Sequence, residues 1–223
     1  MKREIFFVTG TDTGAGKTVL TALLVKFLRE RGVNAAALKP VCSGGRDDAR
    51  EIYAAINGVL PLNEINPWHF RAAVAPLLAA RLENKKIKSS QVIAHTRVMQ
   101  KSFEILLVEG AGGLLSPLGE NFDSRELILA LRATPIVVAQ NKIGAVNQIL
   151  LTLEALPKNL RAKTRVVLMS PQKSDAATKS NAKLLGQFRF AAKIFTLPWF
   201  GRNFSVPEAL RNPRVRRTLR AMV

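Results

Sequence analysis

The chain runs to 223 residues, 48% of them hydrophobic, and holds 34 Lys and Arg against 16 Asp and Glu, a formal charge of +18. That length suits one α/β domain over 1–223 with one sizeable core, and no apolar run approaches the roughly 18 residues that cross a bilayer. The charge suits a nucleic-acid surface or a solvated face attracting anionic nucleotides; the basic residues are scattered rather than interleaved with aromatics, which favours the second.

Met1-Lys2-Arg3 has the basic start of a signal peptide, yet the apolar run behind it ends at Val8 in a polar stretch, so no export is expected. A lone Cys42 leaves no internal disulfide and fits a reducing cytoplasm, and with only His69 and His95 beside it a zinc site is not expected.

In chain order, Ile5 to Val8 reads as a buried strand running into a glycine-rich turn that ends Gly16-Lys17-Thr18. Glycines let backbone amides wrap an anion, a lysine reaches the β- and γ-phosphates, and a threonine hydroxyl binds Mg2+. An ordinary strand-to-helix turn is the other reading. The agreement of strand, glycines, Lys-Thr and a following helical pattern favours phosphate. That helix carries Val19, Leu23, Leu24, Phe27 and Leu28 at helical spacing up to Gly32. Val33 to Leu38 reads as a second strand, with Lys39 to Gly44 as a loop at its carboxyl end, where open α/β sheets bind ligands. A lone loop lysine such as Lys39 is usually just solvated.

Asp47 and Asp48 open a helix, as acids commonly do. His69 reads as a turn residue rather than a catalytic base, and Ala75-Pro76 starts a helix. Ser90 to Ser102 reads as a helix with Val92, Ile93 and Val98 inward. Ile105 to Val108 is a buried strand delivering Glu109 into glycines, which is how a nucleotide hydrolase sets a metal ligand beside phosphates. A short helix at Leu127 to Leu131 precedes a strand at Pro135 to Ala139, then a loop from Asn141 to Asn147. Strands follow at Arg165 to Met169 and Lys193 to Leu197. Ser205 and Glu208 have capping-box spacing, and Asn212-Pro213 starts a terminal helix that packs Val215, Leu219 and Met222 and leaves Arg214, Arg216, Arg217 and Arg220 largely exposed. The alternation predicts an α/β fold, a mostly parallel sheet flanked by helices on both faces.

Several motifs carry a family resemblance. The phosphate loop is not the common G-x4-G-K-[ST]: Gly10 is followed by five residues, giving G-T-D-T-x-x-G-K-T. With K-P-V-x-S-G from Lys39, N-P-x-x-F from Asn66, V-E-G-A-G-G from Val108 and a loop similar to x-L-G-x-x-N ending at Asn147, the chain resembles the dethiobiotin synthetases, which are P-loop NTPase-like. The resemblance implies an ATP-dependent ligase that closes the ureido ring of dethiobiotin from 7,8-diaminononanoate and CO2 through a phosphorylated carbamate, in a homodimer, with ATP as co-substrate and Mg2+ as cofactor. It implies catalytic roles for Lys17, Lys39 and Thr13, and a metal set of Thr18, Asp48 and Glu109. Nucleotide contacts are implied for Gly14, Ala15, Gly16, Lys17, Thr18 and Val19, for Asp48, Glu109, Gly110, Ala111 and Gly112, and on the adenine side for Ser170, Pro198 and Trp199. Ser43 would meet the substrate, while Gly144 and Asn147 would hold its carboxyl tail across the dimer interface; a plain strand-to-helix turn is the other reading of that loop.

Two departures stand out: Ala72 to Leu78 is apolar where the family is often polar, and Ser170 replaces a usual asparagine. A partition-type P-loop ATPase switch binding DNA or a membrane partner is the alternative. Such proteins usually carry an additional lysine early in the phosphate loop, where this chain has Thr11-Asp12-Thr13.

Overall fold

The computed structural model describes residues 3–188, 192–201 and 204–223, so Met1 and Lys2 of the basic amino terminus lie outside the described residues. In chain order the elements are β1 (Glu4–Gly10), α1 (Lys17–Glu30), β2 (Ala35–Leu38), β3 (Val41–Ser43), α2 (Asp47–Ala55), α3 (Leu62–Ile65), β4 (Trp68–Phe70), α4 (Pro76–Leu82), α5 (Ser89–Gln100), β5 (Ile105–Glu109), α6 (Ser124–Leu131), β6 (Thr134–Gln140), α7 (Ala145–Glu154), α8 (Lys158–Arg161), β7 (Arg165–Met169), α9 (Ala176–Leu185), β8 (Lys193–Leu197), α10 (Val206–Arg211) and α11 (Pro213–Met222).

Six strands form one sheet in the order β2-β5-β1-β6-β7-β8, every pairing parallel. Parallel strands need crossovers, so both faces are covered and the strands read as apolar runs rather than alternations. The side chains of β1 divide between the faces. Ile5 and Phe7 enter a core closed by α4, α5, α6, α7 and α9, and Phe6 and Val8 enter one closed by α1, α2, α10 and α11. β1 lies between β5 and β6, so the loops after β1, β5 and β6 open side by side at the carboxyl edge.

The segment read as a loop from Lys39 is partly a strand. β3 pairs in parallel with β4 as a separate two-stranded sheet, placing Cys42 opposite His69 and Ser43 opposite Phe70. His69 is therefore a strand residue, not a turn residue. Three residues each way are too short to show a period of two, so neither strand announced itself. Val98 is 55% exposed rather than inward, because the buried line of α5 runs through Val92 and Thr96 and Val98 falls off it. Ser205 heads α10 without a side-chain cap, whereas Asn212 accepts from the Arg214 amide and caps α11 as its sequence suggests. Arg216 is not simply solvated: it bonds Glu30 at 2.8 Å and stacks over Phe27, tying α11 to α1.

Candidate functional site

The phosphate loop is built by β1 feeding α1. Gly16 caps α1 at φ 98°, and a Cβ there would lie 2.9 Å from Met169 Cγ, so neither the backbone nor the space admits another residue. Gly14 also has positive φ, and its carbonyl accepts from Gln140 Nε2 at 3.0 Å, which fastens the loop to the end of β6. The first amides of any α-helix lack intrahelical acceptors, which makes this end of α1 suited to an anion.

Two large cavities open beside this loop. One, of about 580 Å³, is lined by Thr13, Gly14, Gly16, Lys17, Thr18, Val19, Lys39, Ser43 and Asp48, with Ala111, Gly112 and Ser116 from the loop after β5 and an apolar wall of Ala73 to Pro76. The other, of about 530 Å³, runs from Gly14, Ala15, Gly16 and Val19 to Ser170, Pro198 and Trp199. They meet at the phosphate loop. One is polar and cationic at its floor; the other is walled by Met169, Trp199, Phe200 and Phe204, a suitable seat for a flat aromatic group.

The polar floor is an interlocked set of charges. Lys39, carried on the end of β2, donates to Glu109 Oε1 at 2.7 Å and pairs with Asp48 Oδ2 at 2.8 Å. Thr18 Oγ1 donates to the same Glu109 oxygen at 2.7 Å. Glu109 is completely buried, and its Oε2 has no hydrogen-bond partner among the described residues. A buried, unpartnered carboxylate oxygen beside a threonine hydroxyl and a half-exposed aspartate suits a hard cation. Burial disfavours the charge on Lys39, but Glu109 and Asp48 outweigh it and hold the ammonium firmly protonated. Burial likewise pushes the Asp48 carboxyl up, and Lys39 more than reverses this, leaving it below its ordinary range.

Lys17 has the opposite balance. It donates to the Asp12 carbonyl at 2.9 Å, and burial, then the charge of Lys39, lowers it from 10.5 to about 8. An anion arriving at the loop would restore its partner. Two lysines thus converge on one cavity, one held by carboxylates and one on a backbone carbonyl.

Not every residue singled out from the sequence reaches these cavities. Gly110 lies beneath them, where a Cβ would meet Ser124 Oγ at 2.5 Å and Phe7 at 3.1 Å; its small size serves packing. Gly144 and Asn147 line neither cavity: Gly144 caps α7 at φ 84° and Asn147 sits on the first turn of that helix. Ser43 lines the polar cavity, but its hydroxyl donates to the Val74 carbonyl at 2.5 Å and so fastens the apolar wall. Cys42 is buried with its thiol on the Gly45 carbonyl and Asn66, and burial raises it further from the thiolate.

Sequence reasoning missed Gln140, which ends β6 at the ligand-bearing edge and could have been found by that rule alone. It also missed the brace under Lys39. Asn66 Nδ2 donates to the Lys39 carbonyl at 2.6 Å, and Arg46 Nε donates to Asn66 Oδ1 at 3.2 Å. No local pattern links residues that far apart in sequence.

The sequence model of a family described as an AAA domain matches residues 4–202. The chain is similar to the ATP-dependent dethiobiotin synthetase BioD of Akkermansia muciniphila, 42% identical over 151 residues, which is 68% of this chain and 71% of the relative. It is 40% identical over 173 residues to that of Anaeromyxobacter sp. strain Fw109-5, covering 76% of this chain and 78% of the relative. For Methanocaldococcus jannaschii the figures are 33% over 156 residues, with 68% and 73% covered. A crystal structure of a ParA family ATPase from Chlorobium tepidum matches with a TM-score of 0.56 over 98% of this chain and 96% of that one, at 13% identity, a likeness of fold alone.

Proposed function

The chain belongs to the dethiobiotin synthetase family and is an ATP-dependent ligase of biotin biosynthesis; we propose that it closes the ureido ring of 7,8-diaminononanoate with CO2 in the cavity shared by Lys17 and Lys39. The observation that carries this is the convergence of two lysines, two carboxylates and a threonine hydroxyl at the floor of the polar cavity, which meets the aromatic cavity at the phosphate loop.

In outline, one amine of the diamine adds CO2 and loses a proton, giving a carbamate. A carbamate oxygen attacks the γ-phosphorus of ATP and ADP leaves. The second amine then attacks the carbamoyl carbon, the C–O bond breaks, and phosphate departs as the ring closes. No enzyme nucleophile is needed, so the protein's share is positioning and charge neutralisation. Loop amides from Gly14 to Val19 cradle the β- and γ-phosphates, and Lys17 supplies the charge that balances the γ-phosphoryl group in transfer. Lys39 stands on the carbamate side. Thr13, at the cavity wall with its amide on Asp12 Oδ1 at 2.7 Å, borders the reacting groups.

Thr18, Asp48 and Glu109 would hold Mg2+, which fits the unpartnered Glu109 Oε2 and the oxygen-only donor set. When bound, it would neutralise charge on the β- and γ-phosphates. Ala111 and Gly112 border the phosphates, and Ser170, Pro198 and Trp199 border the adenine in the aromatic cavity.

The active form is proposed to be a cytoplasmic homodimer in which Gly144 and Asn147 serve the neighbour's substrate carboxylate. Support comes from Ile143 and Leu151, 83% and 63% exposed beside them, an apolar surface that a second copy would cover. The direct assay supplies diaminononanoate, bicarbonate and MgATP and follows dethiobiotin. Folded protein that makes none, while hydrolysing ATP in response to DNA, would overturn the reading in favour of a partition-type switch.

A further inference from the structure

Two cations serve this cavity through different partners. Lys17 donates to a backbone carbonyl, whereas the ammonium of Lys39 lies at 2.7 Å from Glu109 Oε1 and 2.8 Å from Asp48 Oδ2. Those are the carboxylates that, with Thr18, fit a divalent cation, and Thr18 Oγ1 donates to the very oxygen that Lys39 uses. Lys39 is 2% exposed, so water screens little between it and an incoming metal. A divalent cation on these oxygens would stand beside that ammonium, like charge against like charge. Lys39 also lines the polar cavity, so its side chain has somewhere to turn.

We infer that Lys39 is an exchangeable internal counter-ion: binding of the divalent cation displaces its ammonium from Asp48 and Glu109 and frees it for the anionic oxygens of the substrate carbamate. The inference rests on the assignment of Thr18, Asp48 and Glu109 as metal ligands. It makes metal loading a precondition for the substrate lysine, so that carbamate binds tightly only once the metal is in place. It also gives Lys39 work before any chemistry, since one ammonium neutralises a buried and a half-buried carboxylate that would otherwise repel each other.

The test is Mn2+ binding to the full-length protein without nucleotide or substrate, read by the electron spin resonance of free Mn2+. Lys39→Met removes the competing charge and should tighten Mn2+ binding by about tenfold or more, and Asp48→Asn placed on top should cancel the gain. Lys39→Met should also melt lower than the parent in metal-free buffer and gain more melting temperature from Mn2+, because the metal replaces a missing counter-ion. If Lys39→Met folds poorly, Lys39→Gln, which keeps a donor, carries the same expectation. Affinity for Mn2+ that is unchanged or weaker in both variants overturns the inference, provided that Asp48→Asn and Glu109→Gln weaken binding in the parent background. If those two leave Mn2+ binding untouched, the metal assignment itself falls, which is a different failure.

Discussion

Replacing Lys17 by methionine should separate the stability of the phosphate loop from its chemistry. The ammonium is buried, at 6% exposure, and sits near Lys39, and these lower it from 10.5 to about 8. A fall of about 2.5 units, at 1.36 kcal/mol each, is a folded-state penalty of about 3 kcal/mol on the charged form. Between pH 8 and 10.5 the unfolded chain keeps a proton on Lys17 that the folded chain has released, so the parent gains stability as pH rises through that window; below it, the whole penalty stands. Lys17→Met carries no such penalty, though it strands the Asp12 carbonyl, at a cost of about 1 kcal/mol. At pH 7 the variant should therefore be more stable by about 2 kcal/mol, or roughly 4–8 °C in Tm for a chain of this size. Urea unfolding of nucleotide-free protein at pH 7 and pH 10 measures it, and the advantage should shrink or vanish at the higher pH. Ring closure in the same variant should fall by more than about 100-fold, since the lost charge is the one on the transferred phosphoryl group. A variant less stable than the parent at pH 7, or an advantage that ignores pH, would show that Lys17 is not held against its charge.

Asp48→Asn and Glu109→Gln should each raise the Mg2+ concentration that half-saturates turnover; a metal titration unchanged in both would remove them from the cation site. Mixing inactive Asn147→Ala with inactive Lys17→Ala subunits should regenerate one working site per heterodimer, and proven subunit exchange without recovered activity would place both residues in one subunit's site. Ser170 lines the aromatic cavity, and its proposed contact to the base is one short hydroxyl in place of an amide, so CTP or GTP should support measurable turnover and Ser170→Asn should sharpen ATP preference by about tenfold or less. Strong ATP selectivity in the parent, unmoved by that change, would assign base reading to other groups around the aromatic cavity.

The parts of this molecule legible from sequence are those with a local cause. The phosphate loop shows because only glycine tolerates the left-handed turn at Gly16 beside Met169, and Glu109 shows because an apolar strand must end where its carboxylate begins. The six-stranded sheet follows from runs apolar on both faces. What stayed hidden depends on partners distant in the chain or on segments too short to have a period. β3 and β4 have three residues each, and their pairing, which seats Ser43 and Cys42, is invisible until the chain folds back. The Asn141 and Asn181 pair at 2.9 Å joins the loop after β6 to α9, a helix whose polar surface gave no sign of what it fastens. Lys39 could be singled out from its motif, but that it already holds both Asp48 and Glu109 is a statement about three segments at once.

In the proposed reaction the γ-phosphoryl group of ATP passes to a carbamate oxygen and not to water. Turnover started with freshly dissolved C18O2 and followed by mass spectrometry tests it directly. One 18O should appear in the phosphate released and one in the ureido carbonyl of dethiobiotin, because the bridging oxygen leaves with phosphorus when the ring closes. Phosphate carrying no 18O, formed alongside labelled dethiobiotin, would contradict it.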